Sequence, residues 1–274
     1  RLIARNSEKI KLDLNHPLAD VPLKIQVSLM NQEVNRRERG GSCVDWVEDA
    51  MSGPGMQLRY HGHPTRFLDP DAFKRADSRP DPEFYIQDRF VRHVDDKAQS
   101  LLTRLYSNQL SDGDRVLDLM SGWESHLPER LKLGKLDGIG LNGNELAANR
   151  RLDHFKIQDL NENPVLKYRE NTFDAVICSL SIEYLTDPFT VFTEVARVLK
   201  PAGRFIVTFS NRWFPEKVIR VWENLHDFER MGLVVEYFLA SDRFHRIETR
   251  SFRGYPRPVK DKYFQSLRLS DPVY

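Results

Sequence analysis

From Phe84 onward, apolar residues recur in two alternating rhythms. Phe90, Val91, Val94, Ala98, Leu101, Leu102 and Leu105 fall at helical spacing, which predicts an amphipathic helix over residues 86–108. The turn Ser111-Asp-Gly-Asp114 leads into Arg115-Val-Leu-Asp-Leu119, an apolar run of strand length. Further strands are predicted at residues 136–141, 154–157, 172–179 and 204–210, and the run at 172–179 is continuous enough to be buried on both faces. Between them, helical spacing covers Glu145 to Ala148 and Phe189 to Leu199, the second stopped by Pro201-Ala-Gly203. Residues 215–240 place Val218, Val221, Trp222, Leu225, Phe228 and Met231 on one face of one or two helices. Residues 244–252 read as a sixth strand. Strands alternating with helices at this spacing predict an α/β fold: a Rossmann-like, doubly wound, mostly parallel sheet with helices on both faces.

Upstream of residue 84 the rhythm is lost. Residues 1–83 are polar and punctuated by Pro and Gly, with strand-like alternation only at 21–29 and 56–60 and a short helical stretch at 44–50. The expected organisation is an N-terminal extension or small accessory module over 1–83, followed by a Rossmann-like domain over 84–274. The chain opens on Arg1 without a charged-then-apolar leader, the pattern of a trimmed or processed start.

Charge narrows the function classes. With 41 Lys+Arg against 40 Asp+Glu the net charge is +1, so no global field draws in nucleic acid or an anionic membrane, and neither partner is expected. The last 34 residues hold eight Lys/Arg against four Asp/Glu among Phe252, Tyr255, Tyr263 and Phe264, and read as a solvated sheet edge. The longest apolar runs, such as Phe205 to Phe209, are too short to span a bilayer. Two cysteines, Cys43 and Cys178, make no disulfide framework. A reducing compartment is the expectation, the cytoplasm or an organelle reached with a removable transit peptide. His61-Gly-His63 offers two lone ligands on a loop, so no metal site is expected. The residues carry no signal of an oligomeric state.

The strand ends then carry a resemblance. Val116-Leu-Asp-Leu119 running into a Gly-containing loop, Gly138-Ile-Gly-Leu-Asn142, Asp159-Leu160, Phe173-Asp-Ala-Val176, Glu183-Tyr-Leu185 and Val191 to Gly203 resemble class I S-adenosylmethionine-dependent methyltransferases over about Phe84 to Phe252. The likeness is to the small-molecule, type 11 branch. Asp118-Leu-Met-Ser121, Trp123, Ser125-His-Leu-Pro128 and Phe209-Ser-Asn-Arg212 resemble a divergent subgroup of it. The implied activity is methyl transfer from S-adenosyl-L-methionine to a small-molecule substrate. The alternative is a non-catalytic binding or assembly module with a degenerate cofactor loop.

That resemblance implies a cofactor site built from Asp118, Met120, Ser121, Gly122, Trp123, Asn142, Asp159, Leu160 and Ser179. The family usually has small residues where Met120 to Glu124 stand, and Trp123 must either line the pocket or fill it. Pro128 forbids a helix running straight from Ser121, which predicts an open loop at 121–125 with Ser125 capping a helix that has Pro128 in its first turn. Asn142 stands where the family carries a ribose-binding carboxylate, with Glu145 near enough to compensate, and Asp159 is expected at the adenine. Arg89 and His93, four apart on the expected helix, would suit the methionine carboxylate. Glu183 or Tyr184 is the candidate general base, and Asn211 and Arg212 are expected to meet the substrate. Tyr274 falls where the family's seventh strand would be starting.

Overall fold

The computed structural model describes residues 2–5, 10–12 and 70–274, apart from residue 224. The expected elements at 21–29, 44–50 and 56–60, the His61/His63 pair and Cys43 lie outside the described residues. Near the N-terminus, Leu2–Arg5 (β1) pairs antiparallel with Ile10–Leu12 (β2).

The remaining strands form one parallel sheet. Arg115–Leu119 (β3), Lys135–Gly140 (β4), His154–Ile157 (β5), Phe173–Ser179 (β6) and Leu199–Thr208 (β7) lie in the order β5-β4-β3-β6-β7. Successive side chains of a strand point to opposite faces. Val116, Ala175 and Ile177 accordingly share one core with Tyr106, Leu127, Leu131 and Leu136. Leu117, Leu119, Val176 and Cys178 join the larger core on the other side. That second face is covered by helices Pro188–Val198 (α4) and Asp227–Ser241 (α6), which pack on each other through Phe192, Tyr237 and Phe238. The shorter helices are Asp81–Phe84 (α1), Gly143–Ala148 (α3) and Arg220–Glu223 (α5).

Three expectations need correction. The helix before β3 is Asp96–Gln109 (α2), not 86–108. Asp95 caps it by accepting from the Ala98 N–H at 2.9 Å, a strong start signal that cuts the apolar stripe in two. Residues 86–95 form an irregular strap on which Phe90 and Val91 are 50% and 58% exposed. Arg89 and His93 therefore share no helix face.

The β3–β4 connection contains no helix. Ser125 is buried and accepts from Asn149 Nδ2 at 2.9 Å instead of capping, Pro128 opens a single turn, and Leu127 and Leu131 pack on the sheet where a helix would lie.

Residues 244–252 form no strand, and only Phe252 makes an isolated bridge, to Val273. His245, Arg246, Glu248 and Arg250 crowd that stretch with polar and charged side chains, leaving too few apolar ones to hold a pleated edge. Tyr274 instead exchanges two backbone hydrogen bonds with Phe209, just past β7.

Residues 70–83, on the extension side of the expected boundary, pack into the same unit. Ala72 lies in the main core, and Asp81 is enclosed by Arg75 at 2.8 Å and the fully buried Lys217 at 3.1 Å. A second buried charge cluster clasps the C-terminal segment to α2. Arg257 pairs with Asp95 at 3.3 Å and Asp271 at 2.7 Å, and the Asp271 N–H donates to Asp95 at 2.8 Å. No helix among the described residues is long and apolar enough to cross a membrane.

Candidate active site

In an open parallel sheet the ligand crevice lies beyond the carboxyl ends of the strands, where strand order reverses. A cavity of ≈740 Å³ occupies that place. Its walls are Met120 to Glu124 after β3, Gly140 to Asn142 after β4, Gln158 to Asn161 after β5, Ser179 to Ser181 after β6 and Asn211 to Pro215 after β7. The strap adds Val91 to Val94, and the C-terminal segment adds Lys262, Tyr263 and Leu267.

Asp118 sits at the end of the central strand but holds the loop rather than the cavity wall. It is buried, accepts from Ser121 Oγ at 2.7 Å and from the Ser125 hydroxyl, and burial pushes its pKa up to about 6. The Ser121 N–H donates to the Ile139 carbonyl at 2.7 Å, which lays the loop across β4. Glycine at 140 is required there, because a Cβ would collide with the Ser121 carbonyl. Met120 adopts φ +57°, a left-handed conformation that an L side chain enters at a cost. Residues 121–125 form an open loop, as the Pro128 argument predicted. Trp123 lines the cavity, donates its indole N–H to the Val91 carbonyl at 3.3 Å, and meets Phe90 edge to face at 6.4 Å.

Asn142 borders the cavity with its amide fully occupied. Its oxygen accepts from the N–H groups of Asn144 (2.9 Å) and Glu145 (3.0 Å), capping α3, while its nitrogen donates to the Tyr85 carbonyl (3.0 Å) and Asp88 (2.9 Å). Two acceptor and two donor positions exhaust an amide. Glu145 lies one turn further on, and its Oε1 accepts from the Arg89 N–H at 2.7 Å. No hydrogen bond reaches its Oε2 among the described residues. Burial raises the Glu145 pKa, and Gly122 leaves room for that oxygen, since a Cβ there would stand 3.3 Å from it.

Asp159 and Leu160 line the cavity beyond β5. Asp159 accepts from the Asn161 N–H at 2.9 Å, and burial raises its pKa. Asn161 fastens this corner, donating to Asp81 at 2.8 Å and to the Tyr184 carbonyl at 2.9 Å. Ser179 lines the wall with its Oγ 2.6 Å from the Tyr106 hydroxyl.

The candidate bases and cations divide. Tyr184 is on the wall, its hydroxyl accepting from the Phe214 N–H at 2.9 Å. Glu183 is not: it is fully buried, neither carboxyl oxygen is hydrogen-bonded, and burial raises its pKa to about 8. A 3-10 turn over Ile182–Tyr184 points adjacent side chains in different directions, so only one of the pair faces the cavity. Arg89 is also off the wall, its guanidinium lying over Phe84, Tyr85 and Phe214 at 4.7–5.4 Å. His93 lines the cavity, and burial with Arg89 and Arg212 nearby keeps its pKa below the ordinary value. Asn211 and Arg212 reach it too, and Arg212 pairs through Nε with Asp271 at 3.0 Å. Asp81, Asn161 and His126 were not foreseen. Asp81 and Asn161 are 80 residues apart in the chain, and no local pattern links them.

Comparison with known proteins gives this geometry a context. Residues 125–207 match the family model described as a methyltransferase domain. The demethylmenaquinone methyltransferase of Oceanobacillus iheyensis is 31% identical over 107 residues, 34% of this chain and 43% of that protein. The ubiquinone/menaquinone biosynthesis C-methyltransferase UbiE of Pasteurella multocida is 26% identical over 159 residues, 53% of this chain and 57% of that protein. The chain thus spans about half the length of these curated relatives. Among solved structures, an S-adenosylmethionine-dependent methyltransferase from Mesorhizobium loti aligns with TM-score 0.34 at 22% identity, covering 39% of this chain and 52% of that one.

Proposed function

We propose that this chain, whose residues 125–207 match the methyltransferase-domain model, transfers the methyl group of S-adenosyl-L-methionine to a small molecule held in the strand-end cavity. The observation that carries the reading is the cavity itself, open at the switch point with Trp123 on its wall rather than in its volume. At ≈740 Å³ it falls in the range of small-molecule and cofactor sites.

The residues present fit the cofactor, with one reassignment. Glu145 replaces Asn142 as the group for the ribose hydroxyls, because its Oε2 is uncommitted whereas the Asn142 amide is spent. Asp159 and Leu160 would take the adenine, and the Met120 to Gly122 backbone the methionine portion. When bound, the cofactor supplies a sulfonium whose methyl group is already activated. The chain's part is to exclude water and aim the acceptor, roles that suit Trp123, Tyr184 and Phe214 on the walls. Glu183 has no direct part, since it does not reach the cavity.

Calorimetric titration with S-adenosylmethionine and S-adenosylhomocysteine tests this. Binding should appear with both, and ligand at ~100 times its dissociation constant should stabilise the fold by ~2.7 kcal/mol. Absence of binding by either compound would return the chain to the non-catalytic alternative.

A further inference from the structure

His126 is held by two residues of α2, one turn apart on the same face. Gln99 Oε1 lies 2.7 Å from His126 Nδ1, and Thr103 Oγ1 donates to the His126 carbonyl at 3.1 Å. The residue adopts φ +57°, so the loop backbone is bent into a left-handed conformation to present the ring here. The other end of Gln99 decides which proton the ring carries. Gln99 Nε2 donates to Glu124 Oε1 at 3.1 Å, and Glu124 Oε2 accepts from Arg92 Nε at 3.3 Å. A carboxylate only accepts, so the amide must turn its NH₂ toward Glu124 and its oxygen toward the imidazole. An amide oxygen also only accepts, so Nδ1 must carry the proton. In a neutral imidazole the lone pair is then on Nε2.

The ring stays neutral at physiological pH. Burial, with His93 and Arg92 nearby, pushes its pKa down to about 4. No hydrogen bond reaches Nε2 among the described residues, and His126 lines the cavity together with Arg92, His93 and Glu124. The carboxylate–amide–imidazole chain therefore ends in a fixed acceptor on a residue of the cavity wall. Because Arg92 and His93 disfavour an imidazolium, this nitrogen is suited to orienting a donor rather than storing its proton.

We propose that His126 Nε2 receives the hydrogen bond of the methyl acceptor's O–H or N–H group and so selects acceptors that carry such a donor. The proposal deepens the methyltransferase reading and rests on it for the word acceptor. The hydrogen-bond chain makes Gln99 and Glu124 positioning residues for the ring.

Two measurements on the full chain test it. Long-range ¹H–¹⁵N NMR of the histidine side chains should show His126 protonated at Nδ1 in the wild type and a mixture of tautomers in Gln99→Leu. A ring protonated at Nε2 in the wild type would overturn the proposal. Saturation-transfer NMR with S-adenosylhomocysteine present then compares phenol with anisole and aniline with N,N-dimethylaniline. The wild type should prefer each donor over its methylated match by ~5- to 10-fold, the worth of one neutral hydrogen bond. His126→Asn, which tolerates a left-handed backbone, should lose the preference, and Gln99→Leu should weaken it. Equal binding of matched probes, no binding of any probe to the wild type, or a preference surviving in His126→Asn would each overturn it. Failure of S-adenosylhomocysteine to bind would instead count against the methyltransferase reading, and the donor preference could still be read without it.

Discussion

Replacing Glu183 with Gln should abolish most of the stability that the fold loses as pH rises from 6.5 to 8. The Glu183 carboxyl is fully buried, neither oxygen has a hydrogen-bond partner, and Arg230 is the cation that opposes its desolvation. Arg230 is itself committed to Asp227 at 2.8 Å. Burial therefore raises the folded-state pKa to about 8 from an ordinary 4.5. Below pH 4.5 both folded and unfolded chains hold the proton, so the group is neutral to stability. Between 4.5 and 8 only the folded chain holds it, and stability falls by ~1.4 kcal/mol per pH unit as pH rises. The full loss is ~5 kcal/mol, constant above pH 8.

Other groups titrate in part of that range. Asp118, raised to about 6, has finished by then, and the depressed values of His93 and His126 confine their contribution to below about 6.5. The window from 6.5 to 8 thus isolates Glu183, with an expected loss of ~2 kcal/mol in the wild type and almost none in Glu183→Gln. Urea unfolding across this window, read by linear extrapolation with a constant m-value, measures it. Parallel pH dependences for wild type and variant would refute the argument.

Trp123→Ala should lower S-adenosylmethionine affinity while leaving the unfolding midpoint within a few degrees, and a gain in affinity would mean that the indole plugs the pocket. Asn142→Ala and Glu145→Gln should separate structure from binding. Loss of the α3 cap costs the first ~1 kcal/mol of stability, seen in urea, whereas the second leaves stability near wild type and weakens cofactor binding ~10-fold by calorimetry. Asp271→Ala leaves the buried Arg257 with Asp95, Asp261 and the Leu269 carbonyl, and should destabilise by ~3 kcal/mol. A change below ~0.5 kcal/mol would show that the C-terminal clasp adds nothing to the fold.

Much of the scaffold was legible from residue order alone. The strands at 115–119 and 154–157 are legible to the residue, because a short strand-like run bounded by turn residues is local information. The open loop at 121–125 followed from one proline, whose missing donor forbids a helix whatever surrounds it.

What the chain's order could not convey is which polar groups find each other across the fold. The helix expected from residue 86 starts at 96 because the Asp95 carboxylate caps α2 while held by Arg257, far along the chain. Asn142 stands where the resemblance expects a ribose-binding group, but Tyr85, just before the strap, and Asp88 within it take up both of its donors. Glu145 has an oxygen without a hydrogen bond among the described residues, and it lies beside Gly122, where a Cβ would stand 3.3 Å from it. Glu183 and Tyr184 are adjacent in sequence, yet the 3-10 turn sends one into the core and one to the cavity wall. Apolar rhythm is a property of neighbours along the chain and determines the elements. Hydrogen-bond and charge partners depend on distances set only when the elements pack, so which of the expected residues reach the cavity was decided in three dimensions.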